Sequence, residues 1–368
     1  SCEGYKQKLN EMNKSGEINP RSHWLSPGKM GNPPDRLDGF HSYGSPCCRA
    51  YEDDGRDPDN MKRYARERRA YEAWVNGRWS AADNLMKLTG TSECLDCDTV
   101  EELSADHIGP ISLGFKHDPV NLQGLCDPCN SSKGNELRRE DVKKIIELES
   151  DDVSVASRHI RTLWDECKHE VDTESDANEL KQLLRNNQHQ YLWVIEQLRQ
   201  KEAIGPLISL LNLEESQWRY DFVEVDPGFL NYEEISREKR SKKRELNRAS
   251  SSTRVAFESL IEYSSADETK RWAERVDSQE LQQLWSNVID TVDQSYDDDF
   301  NSQLRKTLSK LEANPSLETR EIVKQSIKAV YQDHGYVPPG NVTPVVEALY
   351  DYMDAVGERL VAKYERGC

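Results

Sequence analysis

The stretch from Cys94 to Asn135 reads CLDCDTVEELSADHIGPISLGFKHDPVNLQGLCDPCNSSKGN, and it decides the fold of the middle of the chain. It contains two Cys-x-x-Cys pairs, Cys94/Cys97 and Cys126/Cys129, with 28 residues between them. Each pair can turn tightly enough to present two sulfurs to one ion, and Zn²⁺ takes four such ligands in a tetrahedron. The spacing predicts one structural zinc site. Two disulfides or buried free thiols are the alternatives.

The residues between the cysteine pairs predict two short strands followed by a helix. Residues 102–108 (ELSADHI) and 121–126 (NLQGLC) have the length and branching of strands. Residues 130–137 are expected to begin a helix that leads into Arg138. A strand, a loop, a second strand and a helix, fastened by zinc, form a ββα unit.

The motifs DHIGPISLG at 106–114 and NLQGLCDPCNSSKGN at 121–135 resemble the HNH branch of the ββα-metal nucleases. The resemblance is to the subclass that carries a zinc-binding Cys-x-x-Cys pair on each side, and it covers only the module at 94–137. Residue types, order and spacing agree together. The resemblance implies a module that hydrolyses phosphodiester bonds.

The same resemblance implies a role for four residues. His107 would be the general base that activates water, while Asp106 and Asn130 would hold one divalent cation, Mg²⁺ or Mn²⁺. Asn121 would brace the loop and orient His107 without touching the metal. The residue types suit this chemistry, because an unperturbed histidine titrates near pH 6.5 and carboxylate and amide oxygens bind hard cations.

The order of Asp106 and His107 poses a geometric problem. Adjacent residues on a regular strand point to opposite faces, so both can reach one phosphate only at a bulge or a strand end. Gly109 and Pro110 favour a strand end here. A purely structural role is the alternative for His107. We expect His117 to be a solvated loop histidine, with substrate contact as the less favoured alternative.

Composition restricts the compartment and the mode of nucleic-acid binding. The net charge of −18 disfavours indiscriminate binding to phosphate, so any nucleic-acid contact must be local. Nine cysteines, an odd number in a long chain, predict a reducing, cytoplasmic setting. No apolar run long enough for a membrane span and no signal peptide are visible. A second metal site at His41, Cys47 and Cys48 is disfavoured, because adjacent cysteines rarely bind one ion together.

Two segments have a local excess of basic residues. One is a predicted helix with basic residues at 62–69, and the other is the segment 233–254. The block at 237–248 could be a helix that contacts the phosphate backbone or a recognition helix. If it is helical, its charge spreads around most of the circumference, which favours backbone contact over reading one groove, and a solvated charged surface is the alternative. The expected nucleic-acid contacts are Lys133, Arg138, Lys239, Arg240, Lys242, Lys243 and Arg244.

We predict an α+β, mostly helical fold in which a small zinc-stapled ββα-metal nuclease module accompanies a large α-helical C-terminal domain. The predicted divisions are a loop-rich N-terminal arm at 1–60, the basic helix with the nuclease module at 61–145, a helical domain at 146–232, the basic segment at 233–254 and a C-terminal helical domain at 255–368.

The predicted function is a metal-dependent HNH endonuclease acting on double-stranded DNA, with catalytic Mg²⁺ or Mn²⁺ and structural Zn²⁺. Size and layout are similar to an HNH-type restriction endonuclease that recognises a DNA sequence. A duplex break would need a homodimer or two successive nicks, and we favour the homodimer. One alternative is an HNH effector of anti-phage defence triggered by a partner or signal. The other is a non-catalytic zinc-ribbon nucleic-acid-binding protein, which the intact residues Asp106, His107, Asn121 and Asn130 disfavour.

Overall fold

A computed structural model of the chain describes residues 70–88, 90–150, 152–226, 232–264, 278–292, 298–313, 317–337 and 342–367. The chain divides into two compact units, Ser1–Ala70 and Tyr71–Cys368, and the features below belong to the second unit. The predicted N-terminal arm, the basic residues at 62–69 and the group His41, Cys47 and Cys48 lie outside the described residues.

The centre of the second unit is a three-stranded antiparallel sheet that carries the two cysteine pairs. The first elements of the described chain are α1 (Trp79–Leu85), β1 (Thr91–Glu93), β2 (Val100–His107), β3 (Leu122–Cys126) and α2 (Asp127–Lys133). The strands pair in the order β1, β2, β3, and the register of β2 with β3 runs without a shift from Leu103↔Cys126 to His107↔Leu122. The predicted strands and the helix that follows them are present.

Helix α2 begins earlier than residue 130, where the sequence pattern places its start. It starts at Asp127, inside the second cysteine pair, because the fixed φ of Pro128 suits the first turn of a helix. It ends at Lys133, since Gly134 adopts a φ of +52° that a continuing helix does not allow. Cys129 and Asn130 are therefore both residues of this helix.

The rest of the second unit is mainly helical, which confirms the predicted fold class. The further helices are α3 (Arg139–Leu148), α4 (Arg161–Cys167), α5 (Glu174–Gln200), α6 (Ile204–Ser209), α7 (Lys242–Ser264), α8 (Gln279–Val292), α9 (Asp298–Ala313), α10 (Leu317–His334) and α11 (Thr343–Gly367). Helix α5 begins with a capping box, in which Thr173 and Asp176 each accept a hydrogen bond from the backbone N–H of the other. Helix α11 packs on α8, α4 and α5, and α7 packs on α10. None of the helices in the described ranges combines the length and apolar composition of a membrane span.

The basic segment 233–254 does not form one helix. Its first part is strand β5 (Glu233–Lys239), which pairs antiparallel with β4 (Trp218–Val223), and its second part is the start of α7. Pairing with β4 fixes the extended conformation, and the guanidinium of Arg237 lies 4.3 Å from the centre of the Trp218 ring across the strands. The predicted boundary at residue 254 falls inside α7.

A small apolar core joins the central sheet to β4. Leu85 of α1, Leu122 of β3 and Phe222 of β4 are buried in one cluster with neighbouring alanines and Tyr220. Burying this apolar surface fixes α1 between the two sheets. Helix α1 therefore has contacts with both the ββα module and the strand that precedes the basic segment.

The chain reaches α1 through a turn. Residues 71–73 are helical, and the helix then stops before Gly77, which has a φ of +140°. A Cβ at Gly77 would lie 2.5 Å from the carbonyl oxygen of His117. Only glycine allows both this backbone conformation and this close approach.

Replacing Gly77 with alanine should destabilise the protein by roughly 2–3 kcal/mol, because the Cβ meets backbone atoms and the φ is strained. Thermal or urea unfolding followed by circular dichroism measures the loss. Gly335→Ala is the matched control, since Gly335 has a φ of +80° with nothing within 4 Å of the added Cβ. It should cost only about 1 kcal/mol. Equal losses in the two variants would show that the contact with His117 does not constrain the fold.

Candidate functional site

The four cysteines of the two pairs form one cluster. Their Sγ atoms all lie within 4.8 Å of one another, and the Sγ atoms of Cys97 and Cys126 are 3.7 Å apart. A tetrahedral zinc with Zn–S bonds of about 2.3 Å requires S···S separations of about 3.8 Å. The described cysteines are all outside disulfides. The cluster therefore fits zinc, with all four coordination positions filled by protein.

Backbone geometry prepares the cluster for a metal. The N–H of Cys94 donates to the carbonyl oxygen of Thr99 (2.8 Å), and Asp98 in between adopts a left-handed φ of 56°, which closes the first turn. Burial opposes ionisation of the Cys94 thiol, but hydrogen bonds from backbone N–H groups, the largest from Cys126, outweigh it and lower the pKa of Cys94 to about 6. These hydrogen bonds favour the thiolate of Cys94, the form that binds zinc, whereas hydrogen bonds with the other cluster cysteines, Cys126 first, raise the pKa of Cys129.

The side chain of Asn121 joins the two ends of the loop between β2 and β3. Its Oδ1 accepts a hydrogen bond from the N–H of Gly109, and its Nδ2 donates to the carbonyl oxygens of Gly109 and Lys116, each at 2.8 Å. The side chain is fully buried, so each of these contacts replaces a bond to water that the backbone groups have lost. These contacts brace the loop between β2 and β3.

Asp106 and Asn130 lie where one face of β2 meets α2. The Oδ2 of Asp106 is 3.0 Å from the Nζ of Lys133 and accepts a hydrogen bond from Gln123 (3.3 Å), its partner across the strands. The Nδ2 of Asn130 donates to the Oγ of Ser104 (2.8 Å). Ser104 and Asp106 are two residues apart on a strand, and Asn130 and Lys133 are three apart on a helix, so each pair shares a face.

The oxygen atoms at this face are of the class that a hard cation prefers. They include the carboxylate of Asp106, the amide oxygen of Asn130 and the Oε1 of Gln123, which is buried without a hydrogen-bond partner in the described structure. The ammonium of Lys133, only 1% exposed, donates to the carbonyl oxygens of His107 (2.7 Å) and Ile108 (3.3 Å) as well as pairing with Asp106. Lys133, predicted to contact nucleic acid, therefore lies in the interior instead.

His107 belongs to a second group of buried side chains. Its Nε2 is hydrogen-bonded to the Nδ1 of His117 (2.9 Å), and the Nε2 of His117 lies 3.6 Å from the Oδ1 of Asp83. The Oδ2 of Asp83 accepts a hydrogen bond from the guanidinium of Arg248 (2.8 Å), which also lies over the ring of Trp79. These contacts connect the end of β2 to the loop, to α1 and to α7 in turn.

Asp106 and His107 leave the strand on opposite faces. β2 ends at His107, and its pairing with β3 continues to that residue without a bulge. Asp106 consequently faces α2, whereas His107 faces His117 and α1. The structure thus brings Asp106 near Asn130 and brings His107 near His117. The side chains of Asp106 and His107 themselves lie on opposite faces of β2, although both residues are at the end of the strand.

The remaining predicted contact residues occupy different environments. Arg138 donates to the Oδ2 of Asp96 (2.6 Å), which raises the pKa of Arg138 and ties the start of α3 to the first cysteine turn. Arg240 is half-buried, and its Nε donates to the carbonyl oxygen of Trp218 (2.9 Å). The exposed residues of the set are Lys239, Lys242, Lys243 and Arg244.

Sequence reasoning missed Asp83, His117 and Arg248. His117 was expected in solvent, but it is 2% exposed, and Asp83 is 1% exposed. Their separation along the chain follows no motif spacing. In the structure, the side chain of Asp118, next to His117, accepts a hydrogen bond from the N–H of Val120 and caps the turn at Pro119–Asn121, which fixes the backbone there.

Comparison with known proteins identifies one similarity. The model of a protein family described as Type II restriction endonuclease (RE_Alw26IDE) matches residues 8–335. No curated protein and no solved structure shows significant similarity to the chain. The matched range covers the whole of the ββα module and extends through most of the helical part.

The purified protein should contain one zinc per chain, and Cys126→Ser should lose it, because removing one thiolate opens the coordination sphere. Elemental analysis measures the metal. Hydrogen exchange should show faster exchange of β2, β3 and α2 in the variant, with α8 and α11 still protected. Cys167→Ser, which changes a buried thiol outside the cluster, is the control. Full zinc content in Cys126→Ser would refute the four-cysteine site.

Proposed function

This chain belongs to a family of type II restriction endonucleases, and from that premise we propose that it is a metal-dependent HNH endonuclease that hydrolyses DNA at specific sites. Family membership by itself supports a DNA endonuclease, since the match extends over residues 8–335. The observation that carries the narrower proposal is the arrangement of Asp106, His107, Asn121 and Asn130 within one ββα unit whose ends meet at the cysteine cluster.

His107 would act as the general base. A histidine can accept a proton from water near neutral pH, and efficient proton transfer requires the ring to be held in one orientation. His117 supports that role, because its Nδ1 is 2.9 Å from the Nε2 of His107. Asp83 in turn lies behind His117. His117 and Asp83 would therefore be positioning residues that fix the ring of the base.

Asp106 and Asn130 would hold the divalent cation, with Mg²⁺ the expected ion in this family and Mn²⁺ a substitute. When bound, the ion supplies positive charge that stabilises the phosphate as it reacts and binds water and substrate oxygens. Lys133 would keep the Asp106 carboxylate and the backbone at the end of β2 in place, since its ammonium contacts both. This role replaces the phosphate contact predicted from the sequence.

The scissile phosphate would lie beyond the end of β2. Only there can one phosphate be approached from both faces of the strand, from the side of Asp106 and from the side of His107. Asn121 supports this arrangement because it holds Gly109, the residue at which the chain turns away from the strand. The bracing of the loop would leave the strand end accessible to DNA in a fixed shape.

Other properties of the enzyme follow from the proposal. One such site cuts one strand, so a double-strand break would require a homodimer or two successive nicks. The exposed residues Lys239, Lys242, Lys243 and Arg244 would contact phosphates around the site. Family membership favours site-specific restriction over a triggered anti-phage effector or a zinc-ribbon protein without activity.

His107→Ala should abolish Mg²⁺-dependent cleavage of a mixed-sequence DNA and leave both DNA binding and zinc content unchanged, because only the proton acceptor is removed. Gel analysis and mapping of the ends measure cleavage. His169→Ala is the matched control, since His169 is exposed and lies outside the module. Full activity of His107→Ala would exclude the mechanism, and diffuse ends from the wild type would exclude site-specific restriction.

His117→Ala should lower the cleavage rate constant on the order of 100-fold with little change in KM, because the base loses its orientation while the DNA contacts remain. His117→Gln keeps a hydrogen-bonding group at this position and should recover part of the rate. Single-turnover kinetics separate the two parameters. A change confined to KM, or equal rates for the alanine and glutamine variants, would contradict the positioning role.

A further inference from the structure

Basic side chains from three separate segments meet beside α1. Lys87 follows α1, Arg219 lies on β4, and Arg240 precedes α7. The side chain of Asn84 donates to the carbonyl oxygen of Tyr220 (3.2 Å), which holds the end of α1 against β4. The backbone N–H of Arg240 donates to the carbonyl oxygen of Gln217 (2.7 Å), which holds the start of the α7 segment against the same strand. The Nζ of Lys87 donates to the Oδ1 of Asn84 (3.3 Å), and the Nε of Arg240 donates to the carbonyl oxygen of Trp218 (2.9 Å). Both cations therefore lie against the part of β4 that carries Arg219.

The charges of this cluster act on one another. Partial burial and the positive charges of Arg248 and Arg219 lower the pKa of Arg240 to about 10. Burial also lowers the pKa of Lys87, and Arg248, Arg240 and Arg219 lower it further, against the opposing effect of Asp83. Lys87 and Arg240 therefore lie in the positive field of neighbouring arginines.

Little acidic charge is available to neutralise the cluster. The carboxylate of Asp83 is buried, and its Oδ2 accepts a hydrogen bond from Arg248. Arg219 pairs with Asp221 at 3.1 Å, but both side chains are exposed, and such pairs contribute little. Arg240 has no ion pair within the described part of the chain. A local concentration of cations on a chain of net charge −18 attracts anionic ligands to this one surface.

We propose that Lys87, Arg219 and Arg240 form a surface that binds the phosphate backbone of DNA next to the His107 site. The inference rests on the proposed nuclease function, and it adds Lys87 and Arg219, which no sequence pattern indicates. Guanidinium and ammonium groups bind phosphate oxygens through charge-assisted hydrogen bonds. Contacts of this kind hold a DNA strand in place without reading its sequence.

The position of the surface relative to the candidate base follows from a chain of contacts. Arg248, which adds to the positive field of the cluster, binds Asp83; Asp83 lies against His117; and His117 is bonded to His107. A strand bound to Lys87, Arg219 and Arg240 would therefore run beside the end of β2. The surface would hold the backbone a short distance from the phosphate that is cut.

The test compares DNA binding of the triple variant Lys87→Gln, Arg219→Gln, Arg240→Gln with that of the wild type. Fluorescence anisotropy with a labelled duplex, in the absence of Mg²⁺, gives affinity over a series of salt concentrations. Loss of three phosphate contacts should weaken binding on the order of tenfold or more and reduce the slope of log K against log salt by about 3. Mg²⁺-dependent cleavage by the wild type is measured on the same duplex.

The matched control removes three exposed lysines elsewhere, as Lys143→Gln, Lys306→Gln, Lys310→Gln, with the same change in net charge. The proposed surface is supported if the control binds DNA with the affinity and salt slope of the wild type while the first triple variant loses affinity and slope. Equal effects in the two variants, or an unchanged slope in the first, would overturn it. A wild type that binds DNA but never cleaves would overturn the nuclease function, while the slopes would still decide the surface.

Arg240 also packs against β4, so the triple variant requires a check of folding by circular dichroism. If it is unfolded, Lys87→Glu replaces it, because Lys87 is exposed and its ammonium donates a hydrogen bond to Asn84, a neighbour three residues away. Reversal of one charge should reduce the salt slope by about 1 or more. An unchanged slope in a folded Lys87→Glu protein would refute the surface.

Discussion

The candidate site depends on the contacts of one buried carboxylate, that of Asp83. One oxygen accepts a hydrogen bond from Arg248 of α7, and the other faces His117 of the loop after β2. A buried carboxylate is unfavourable unless it is paired, so α1, the loop and α7 are required to stay together. The helical part of the chain thus supports the ββα module through one charge as well as through apolar packing.

The ββα module was predictable from sequence because its determinants are local. Two cysteine pairs, two branched segments and a proline near the helix start lie within about forty residues, and local rules apply at that scale. The same rules fail for residues 237–239, which extend as the end of β5 where they pair with β4, whereas residues 242–248 are helical in α7. The conformation of the extended part is set by a partner strand that composition cannot reveal.

The surroundings of the site could not be predicted for the same reason. His117 has no sequence feature that marks it as buried, and its burial depends on Gly77, which lets α1 approach the loop. Lysine is usually a surface residue, yet the ammonium of Lys133 contacts three oxygen atoms at the end of β2. Long-range packing decided both positions, and a single sequence contains no direct record of it.

The start of α2 inside the second cysteine pair limits how this module can change in evolution. Cys129 is fixed by the cluster, and Asn130 and Lys133 follow it on the same helix. One inserted residue between Cys129 and Lys133 would rotate the helix by about 100° and turn one of these side chains away from β2. Insertions and deletions in related chains should therefore be absent from the segment between Cys129 and Lys133.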